Sequence, residues 1–354
     1  PPSPAGGYVN FFLTQKFYDQ SLRECLAGNE FGSSHAGKGK KIVLEYSQPN
    51  PGKPMHLGHI RSTILGDVAA RMLSFQGYGV VRINYLNDCG AHIAELITSL
   101  KKHGITKVKD EKELVQYYVK IKQEIDSNPA LKKESQLVLE KISVEQDKAV
   151  FAELKKIREM SYEAFQRNYD ALDVKFDEIV CESTLINDAR ERVQECLDKK
   201  IAFVDETDVV VADLEKHGLP NTLLLRSNKA VLYLTSDLAL ADYKWQKYAF
   251  TQSVYFTASE QNLHFKQLFK LLELLRRPYV EKLRHVGFGL IELPEGKMST
   301  RLGRVVLLED VLNEVISNAR EELVPSTHRA EYTEKEKDEI SCIVGVGSLK
   351  FGVL

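Results

Sequence analysis

The chain has 354 residues, of which 43% are hydrophobic and 28% are charged, and this composition excludes disordered and collagen-like proteins. Its 48 Lys and Arg residues nearly balance 50 Asp and Glu residues, which argues against non-specific nucleic-acid binding but leaves a local basic patch open. No apolar run reaches the roughly 18 residues of a membrane span, so we expect no membrane partner. Five widely spaced cysteines without a CxxC pair favour a reducing compartment, either cytoplasmic or organellar. Because the chain starts at Pro1 with neither an initiator Met nor a signal-peptide layout, we expect it to be a fragment.

The first part of the chain predicts a linker followed by a βαβ unit. Residues 1–40 are interpreted as the end of a preceding domain and a Gly/Ser-rich linker. Residues 41–100 are interpreted as the first half of a nucleotide-binding fold. The predicted elements in it are a strand at 42–46, a Pro/Gly turn, a helix at 57–75 and a strand at 80–85.

The middle of the chain, residues 101–222, predicts a mainly helical insertion. Strand signals vanish between residues 101 and 200, where Lys and Glu alternate around an apolar stripe that comprises Val150, Leu154, Ile157, Ser161 and Ala164. The charges are interpreted as a solvated helix face, with a contact from Lys155, Lys156 or Arg158 to a phosphate backbone as the alternative. Strands are predicted to return at 201–203, 209–212, 223–226 and 231–235.

A second alternation of strands and helices follows in residues 223–325. The predicted elements are a helix from Asp237, a strand at 253–257, a helix at 265–275, a strand at 285–290 and a helix at 308–322. Residues 326–354 are interpreted as the start of a further helical domain. The whole pattern predicts an α/β protein whose parallel sheet is split by a largely helical insertion.

The most informative segment is PNPGKPMHLGH at residues 49–59, between a predicted strand and a predicted helix. Ligands bind at the carboxyl ends of strands in open α/β sheets, and a helix N-terminus favours phosphate. His56 and His59 can reach such a crevice, and Gly58 leaves room for a flat base against the backbone. Taken alone, such a histidine pair is an ordinary helix cap or a core feature.

The second informative segment is GKMSTRLGR at residues 296–304. Its three cations and two glycines predict a loop that binds phosphate. Taken alone, the same residues are also typical of a solvated turn. Cys89 and His92 make a lone CxxH pair. Because a zinc site requires four ligands and no second pair follows, we predict no resident metal.

Together, the HxGH of residues 56–59 and the KMS of residues 297–299 resemble the HIGH and KMSKS motifs of class I aminoacyl-tRNA synthetases. The flanks resemble arginyl-tRNA synthetases in particular, at residues 45–50, 53–54, 59–67, 233–239 and 297–301. The resemblance spans residues 42–354 apart from the insertion, and it implies a Rossmann-like fold of the HIGH-motif nucleotidyltransferase type. It also implies that residues 8–13 end the family's N-terminal tRNA-binding domain and that residues 345–354 begin its anticodon-binding domain.

The resemblance further implies a role for each matching residue. Arginine would be bound by Glu45, Asn50, His56, Tyr233, Asp237 and Gln261, with the two carboxylates and the tyrosine on the guanidinium. ATP would be bound by Gly58, His59, His264, Val286, Gly287, Phe288, Lys297, Met298 and Ser299. The catalytic set would be His56, His59, Lys53, Lys297 and Arg301. From the residues alone, Glu45 could be a solvent-facing strand residue, Tyr233 a strand end, Asp237 an N-cap and residues 286–288 a core strand.

The sequence departs from the family's motifs at a few positions. Thr300 takes the position of the second KMSKS lysine, and Lys53 lies where the family is thought to compensate for that loss. Gln48 replaces a common serine, and Asn-Asp-Cys-Gly at residues 87–90 replaces the commoner Gly-Asp-Trp-Gly. The contacts at these last two places are therefore not predicted by the resemblance.

The activity that the resemblance implies is ATP-dependent formation of arginyl-adenylate, followed by transfer to the 2′-hydroxyl of the terminal adenosine of tRNA(Arg). L-Arginine, ATP and tRNA(Arg) would be the partners, Mg²⁺ would bridge phosphate oxygens, and a monomer is expected. The alternative is a non-catalytic, synthetase-like binding or regulatory protein, which predicts decay of the catalytic set that is present here. A different nucleotidyltransferase with an HxGH motif would not be expected to carry the arginine-binding residues. A cysteinyl-tRNA synthetase would be expected to carry a set of zinc ligands.

Overall fold

A parallel sheet of five strands lies at the centre of the structure, a computed structural model. Described in it are residues 3–5, 7–125, 127–291, 306–323 and 332–354. The strands of these ranges are β1 (Ser3–Ala5), β2 (Tyr8–Asn10), β3 (Lys41–Glu45), β4 (Gly79–Leu86), β5 (Glu178–Cys181), β6 (Ala202–Val204), β7 (Val210–Ala212), β8 (Thr222–Leu225), β9 (Gln252–Ala258) and β10 (Leu283–Phe288). The helices are α1 (Gln15–Leu26), α2 (Leu57–Phe75), α3 (Ala91–Lys102), α4 (Glu111–Ile125), α5 (Pro129–Glu140), α6 (Lys148–Ala171), α7 (Ile186–Asp198), α8 (Tyr233–Tyr248), α9 (Asn262–Leu274), α10 (Leu308–Leu323) and α11 (Glu334–Val353).

The strand order of the central sheet is β10-β9-β3-β4-β5, and every neighbouring pair is parallel. All five carboxyl ends therefore meet at one edge of the sheet. Strands β6, β7 and β8 form a separate antiparallel sheet, and β1 pairs with β2. None of the helices among the described residues has the length and apolar character needed to span a membrane.

The two faces of the central sheet pack against different helices. Val43 of β3 belongs to a core shared with α7, α8, α9 and the small antiparallel sheet. Its neighbours Ile42 and Leu44 belong to a second core shared with α2, α6 and α10. This alternation follows from the two-residue period of a strand that is buried on both faces. It also turns the side chain of Glu45 toward α8, on the same face as Val43.

The helical insertion connects β4 to β5. Helices α3, α4 and α6 share a third core, and the predicted apolar stripe of α6 is buried along its whole length. The parallel α/β sheet and the helix at 57–75 are confirmed, the latter with both of its bounds. The division of the chain into five domain ranges stays a prediction.

Two secondary-structure predictions are wrong. Residues 101–200 were predicted to lack strands, yet β5 pairs with β4 and completes the central sheet. Only four residues long and preceded by a charged stretch, β5 carries little strand signal. The strand at 231–235 is a helix start, because α8 begins at Tyr233 and only Val231 makes an isolated bridge, to Leu225.

Helix α2 packs unusually close to β3 at Gly66. A Cβ atom at that position would lie 2.1 Å from Cγ of Tyr46, a fully buried residue at the end of β3. The Tyr46 ring is backed by Phe176, with ring centroids 4.8 Å apart, so it has little room to withdraw. The absence of a side chain at Gly66 thus sets the depth at which the N-terminus of α2 sits beside the sheet.

We expect Gly66→Ala to lower the free energy of unfolding by about 3 kcal/mol, because the added methyl group overpacks this contact. Chemical denaturation measures the change. The matched control is Gly347→Ala in α11, where a Cβ meets nothing within 4 Å, and it should be neutral or stabilising by up to about 1 kcal/mol. Equal effects of the two substitutions would contradict the packing argument.

Candidate active site

A cleft of ≈ 390 Å³ opens at the carboxyl edge of the central sheet. It is lined by residues at or after the carboxyl ends of β3, β4 and β9 and by the first turns of α8 and α9. These residues are Glu45, Gln48, Asn50, Tyr85, Asn87, Tyr233, Asp237, Thr257, Glu260, Gln261, His264 and Phe265. All of the residues predicted to bind arginine line this cleft except His56. Such an edge is where open α/β sheets hold their ligands.

Tyr233 and Asp237 reach the cleft from one face of α8. They lie four residues apart on a helix, which places their side chains side by side. The predicted strand at 231–235 would have separated them. Asp237 Oδ2 is 2.6 Å from Nε2 of His264. Burial alone would lower the pKa of His264, but the hydrogen bond and charge of Asp237 outweigh it and raise that pKa.

Glu45, the second acidic residue of the cleft, is buried at the end of β3 and is 1% exposed. Its Oε1 accepts a hydrogen bond from Nε2 of Gln48 at 2.5 Å, and its Oε2 lies 2.6 Å from Nζ of Lys244. Burial raises the pKa of Glu45, and the charge of Lys244 opposes that rise. The solvent-facing alternative for Glu45 is wrong. Gln48, whose contact the resemblance left open, orients this carboxylate.

The turn after β3 has an uncommon backbone. Ser47 and Gln48 both have positive φ, 74° and 54°, although neither is glycine. Ser47 N–H donates to Oγ of Ser62 at 3.0 Å, and Gln48 N–H donates to Oδ1 of Asn84 at 3.2 Å. Two consecutive left-handed residues cost of order 1–3 kcal/mol each, and such strain concentrates at ligand sites. Here it turns the Gln48 side chain back onto Glu45.

The HxGH residues form the N-terminus of α2. His56 is the N-cap, and its Nδ1 accepts the N–H of Gly58 at 3.1 Å. The Nδ1 of His59 accepts the N–H of His56 at 3.2 Å. Burial, aided by the charge of Lys53, lowers the pKa of His56 to about 4, and burial lowers the pKa of His59 to about 3. Both rings are therefore neutral near pH 7, with the proton on Nε2 because Nδ1 is an acceptor.

Lys53 lies in the loop before α2, which the helical insertion supports. Gly52, at φ 78°, donates its N–H to Oγ of Ser161 on α6 at 2.8 Å. Nζ of Lys53 is 5.4 Å from the ring centroid of Tyr118 on α4. Its charge also contributes to the lowered pKa of His56, His59 and His92. The insertion thereby fixes the loop that carries this cation.

Three of the residues predicted to cradle adenosine lie on β10, at one end of the sheet, whereas the fourth, His264, lies on α9 and lines the cleft. Val286 is 40% exposed, so the core-strand alternative is wrong for it. A Cβ atom at Gly287 would lie 3.0 Å from Oδ1 of Asn262 and 3.1 Å from Oγ of Ser259. Phe288 ends β10 and is half-buried. Residues Lys297, Met298, Ser299, Thr300 and Arg301 lie outside the described residues.

Several cleft residues escaped the sequence prediction, namely Tyr85, Asn87, Thr257, Glu260 and Phe265. Tyr85 is 3% exposed, and its hydroxyl has no hydrogen-bond partner among the described residues. Their position in the sequence could have identified Tyr85 and Thr257, because both lie near the carboxyl ends of strands, β4 and β9, where ligands bind in such sheets.

The structure also shows the surroundings of Arg158 and of the Cys89 and His92 pair. Nη1 of Arg158 lies 2.9 Å from Oδ2 of Asp88, a fully buried carboxylate that also accepts from the backbone and hydroxyl of Ser183. The structure thus gives Arg158 a role in a buried ion pair, and its contact with a phosphate backbone stays a prediction. Cys89 and His92 are both buried, and no cluster of three or more His, Cys, Asp or Glu suited to a metal occurs in the described ranges.

Comparison with known proteins identifies the family. Residues 21–354 match the family model "tRNA synthetases class I (R), catalytic domain". The arginine–tRNA ligase of Clostridioides difficile is 38% identical over 352 residues, covering 98% of this chain and 61% of that protein. The arginine–tRNA ligase of Halothermothrix orenii is 35% identical over 351 residues, again with 98% of this chain and 61% of the relative covered. The chain thus spans about three-fifths of the length of these relatives.

Solved structures agree on the fold. Thermus thermophilus arginyl-tRNA synthetase superposes with a TM-score of 0.75 at 22% identity, covering 100% of this chain and 64% of that one. The Plasmodium falciparum enzyme gives a TM-score of 0.75 at 23% identity, covering 99% of this chain and 60% of that one. With the sheet, the cleft and the family model in agreement, the chain belongs to the class I arginyl-tRNA synthetase catalytic-domain family.

Proposed function

We propose that the protein containing this chain activates L-arginine with ATP and transfers it to tRNA(Arg). The observation that carries the proposal is the meeting of Glu45, Asp237 and Tyr233 in one cleft beside the HxGH start of α2. A guanidinium is a planar cation with five donors, and two carboxylates and a phenol can accept them in different directions. The relatives named arginine–tRNA ligase support the same substrate.

Within this proposal, the cleft orients arginine by both ends. Glu45, Asp237 and Tyr233 bind the guanidinium, and Asn50, which also lines the cleft, binds the α-amino group. Gln261 and His56 bind the carboxylate, which points it toward the α-phosphate of ATP. Since lysine offers a compact point charge and no planar fork, it cannot reach both acids at once.

The chemical step is an in-line displacement at phosphorus. The arginine carboxylate forms a bond to the α-phosphate as the bond to pyrophosphate breaks, which yields arginyl-adenylate. His59 donates its Nε2–H to a phosphate oxygen, and the single Nε2–H of His56 lies between the arginine carboxylate and the α-phosphate. The N-terminus of α2 adds a favourable dipole. Lys53, Lys297 and Arg301 neutralise the departing pyrophosphate. No covalent enzyme intermediate is required.

ATP lies between the HxGH helix and β10. Gly58 and His59 contact its phosphates, whereas His264, Val286, Gly287 and Phe288 contact its adenosine, and Lys297, Met298 and Ser299 complete the site. Mg²⁺ accompanies ATP on the phosphate oxygens, as part of the substrate. The second step joins the aminoacyl group to the 2′-hydroxyl of the terminal adenosine of tRNA(Arg). We propose a monomer acting where tRNA is charged, in the cytoplasm or an organelle.

A charging assay tests the proposal directly. Purified protein is incubated with tRNA(Arg), ATP and, separately, arginine, lysine or cysteine, and acid-precipitable aminoacyl-tRNA is counted. We expect charging with arginine only. Charging by another amino acid would contradict the substrate assignment. Binding of ATP and arginine without any charging would instead favour the non-catalytic binding protein.

Asp237→Ala should weaken arginine binding by about 100-fold and ATP binding far less, because the guanidinium loses one of two charged acceptors whereas ATP loses only the support that Asp237 gives to His264. Calorimetric titration with each ligand measures the two dissociation constants. Asp198→Ala, on the exposed face of α7, is the matched control and should change neither. An equal loss of affinity for arginine and ATP would contradict the guanidinium role.

The two HxGH histidines should stay neutral from pH 8 down to about pH 5, since their pKa values are lowered to about 4 and about 3. Nitrogen-15 NMR of the imidazole rings should show the Nε2–H tautomer throughout, with His56→Asn and His59→Asn assigning the signals. The unfolded chain binds protons below about pH 6.5, so acidification destabilises the fold through these rings. A titration midpoint near 6.5 for either ring would contradict the neutral-donor role.

A further inference from the structure

A buried lysine lies directly behind the cleft. Lys244, on the inner face of α8, is 0% exposed. Its Nζ is 2.6 Å from Oε2 of Glu45 and 3.6 Å from the ring centroid of Tyr255. Glu45 lines the cleft, whereas Lys244 does not. A substrate in the cleft therefore meets the carboxylate, and the lysine acts on it from the opposite side.

Stability alone does not account for this pair. Removing two charges from water costs several kcal/mol per ion, and apolar residues of similar volume often serve a core as well or better. Lysine is almost never fully buried unless it is paired, and Glu45 is the partner that Lys244 has here. A buried pair whose acidic member faces a ligand cleft points to a role in binding.

The groups around Glu45 show which of them can balance its charge. Helix α8 contributes Lys244 and Asp237, and the loop after β3 contributes the neutral amide of Gln48. Strands β4 and β9 contribute the phenols of Tyr85 and Tyr255, and α9 contributes His264. Asp237 adds a second negative charge, and His264 is already paired with Asp237. Among these groups, Lys244 is the cation in direct contact with Glu45.

We propose that Lys244 is a positioning residue that keeps Glu45 ionised and turned toward the cleft, ready to receive a substrate guanidinium. The inference rests on the proposed function for the identity of the substrate. Each oxygen of Glu45 accepts one protein hydrogen bond, from Gln48 or from Lys244, and keeps acceptor capacity for a further donor. The two partners thus fix the carboxylate without occupying it completely.

The pH dependence of arginine binding follows from this arrangement. Burial raises the pKa of Glu45, and Lys244 is the first opposing influence. Without the lysine, no cation in contact opposes burial and the negative charge of Asp237, so the pKa of Glu45 rises further and protonation of its carboxylate becomes easier. A protonated Glu45 no longer attracts a guanidinium by charge, and deprotonation at higher pH restores the attraction.

The test is Lys244→Met, measured by calorimetric titration of the chain with L-arginine between pH 6.5 and pH 9. We expect arginine binding to weaken by about tenfold or more at pH 7 relative to the unmodified chain, and this difference to shrink as the pH rises. Lys247→Met, three residues along the same helix and paired with Glu178 away from the cleft, is the matched control and should keep the pH profile of the unmodified chain. An affinity and a pH profile unchanged in Lys244→Met would overturn the proposal.

A second measurement does not depend on the substrate. Carbon-13 NMR of the glutamate carboxyl groups, assigned with Glu45→Gln, reports the ionisation of Glu45 without ligand. We expect an ionised Glu45 at pH 7 in the unmodified chain and a protonated one in Lys244→Met. If Glu45 stays ionised in the variant, the role of Lys244 is overturned. If it becomes protonated while the unmodified chain binds no arginine, the role of Lys244 stands and the proposed function fails.

A double-variant comparison separates positioning from a merely structural effect. In the Glu45→Gln background, Lys244→Met should change the arginine dissociation constant by less than about twofold, because the lysine acts through the carboxylate. A further large loss in that background would show that Lys244 acts on arginine by another route and would contradict the proposal.

Discussion

The parallel register of β3 with both of its neighbours is the constraint on which the site depends. Glu45 is paired with Ile83 of β4 and with Tyr255 of β9, so β3 ends between two strands that continue in the same direction, to Leu86 and Ala258. The residues that follow these parallel strands therefore lie along the same edge of the sheet. Helix α2 is brought to that edge at a fixed depth by the side-chain-free contact of Gly66 with Tyr46. The cleft and the HxGH turn are in this way consequences of one sheet geometry.

Two kinds of electrostatics lie side by side at this edge. The cleft combines Glu45 and Asp237, and each acid already has a basic partner, Lys244 or His264. The helix start instead presents neutral imidazoles, kept neutral by burial and by the nearby charge of Lys53. A cationic side chain and an anionic phosphate are thereby favoured at neighbouring positions. This is the charge pattern that joining arginine to the α-phosphate of ATP requires.

Much of this arrangement could be predicted from the sequence, and the reasons are local. The helix at 57–75 is bounded by a histidine cap and a glycine-containing turn, and strands β3 and β4 are apolar runs flanked by turns. Strand β5 could not be predicted, since four residues carry too little periodicity. The segment at 231–235 was predicted to be a strand because it contains Val and Thr, which favour strands. It begins a helix instead, because α8 buries residues on more than one side.

The site shows the same division between local pattern and tertiary contact. Glu45 and Asp237 were found through motif resemblance, whereas Gln48 and Lys244 were not, because their roles arise from contacts across long sequence separations or from a strained turn. A lysine within an amphipathic helix gives no sign in the sequence that it is buried. The same holds for Arg158, which read as a solvated helix residue and proves to be paired with Asp88.

The central claim is that the cleft recognises the charge of a guanidinium through paired carboxylates. It is tested most directly by calorimetric titration of the chain with L-arginine and with L-citrulline, which has nearly the same shape but an uncharged urea group. The account predicts that arginine binds at least about 100-fold more tightly than citrulline at pH 7, since the uncharged urea group of citrulline forms no ion pair with either acid. Equal affinity for the two amino acids would contradict it.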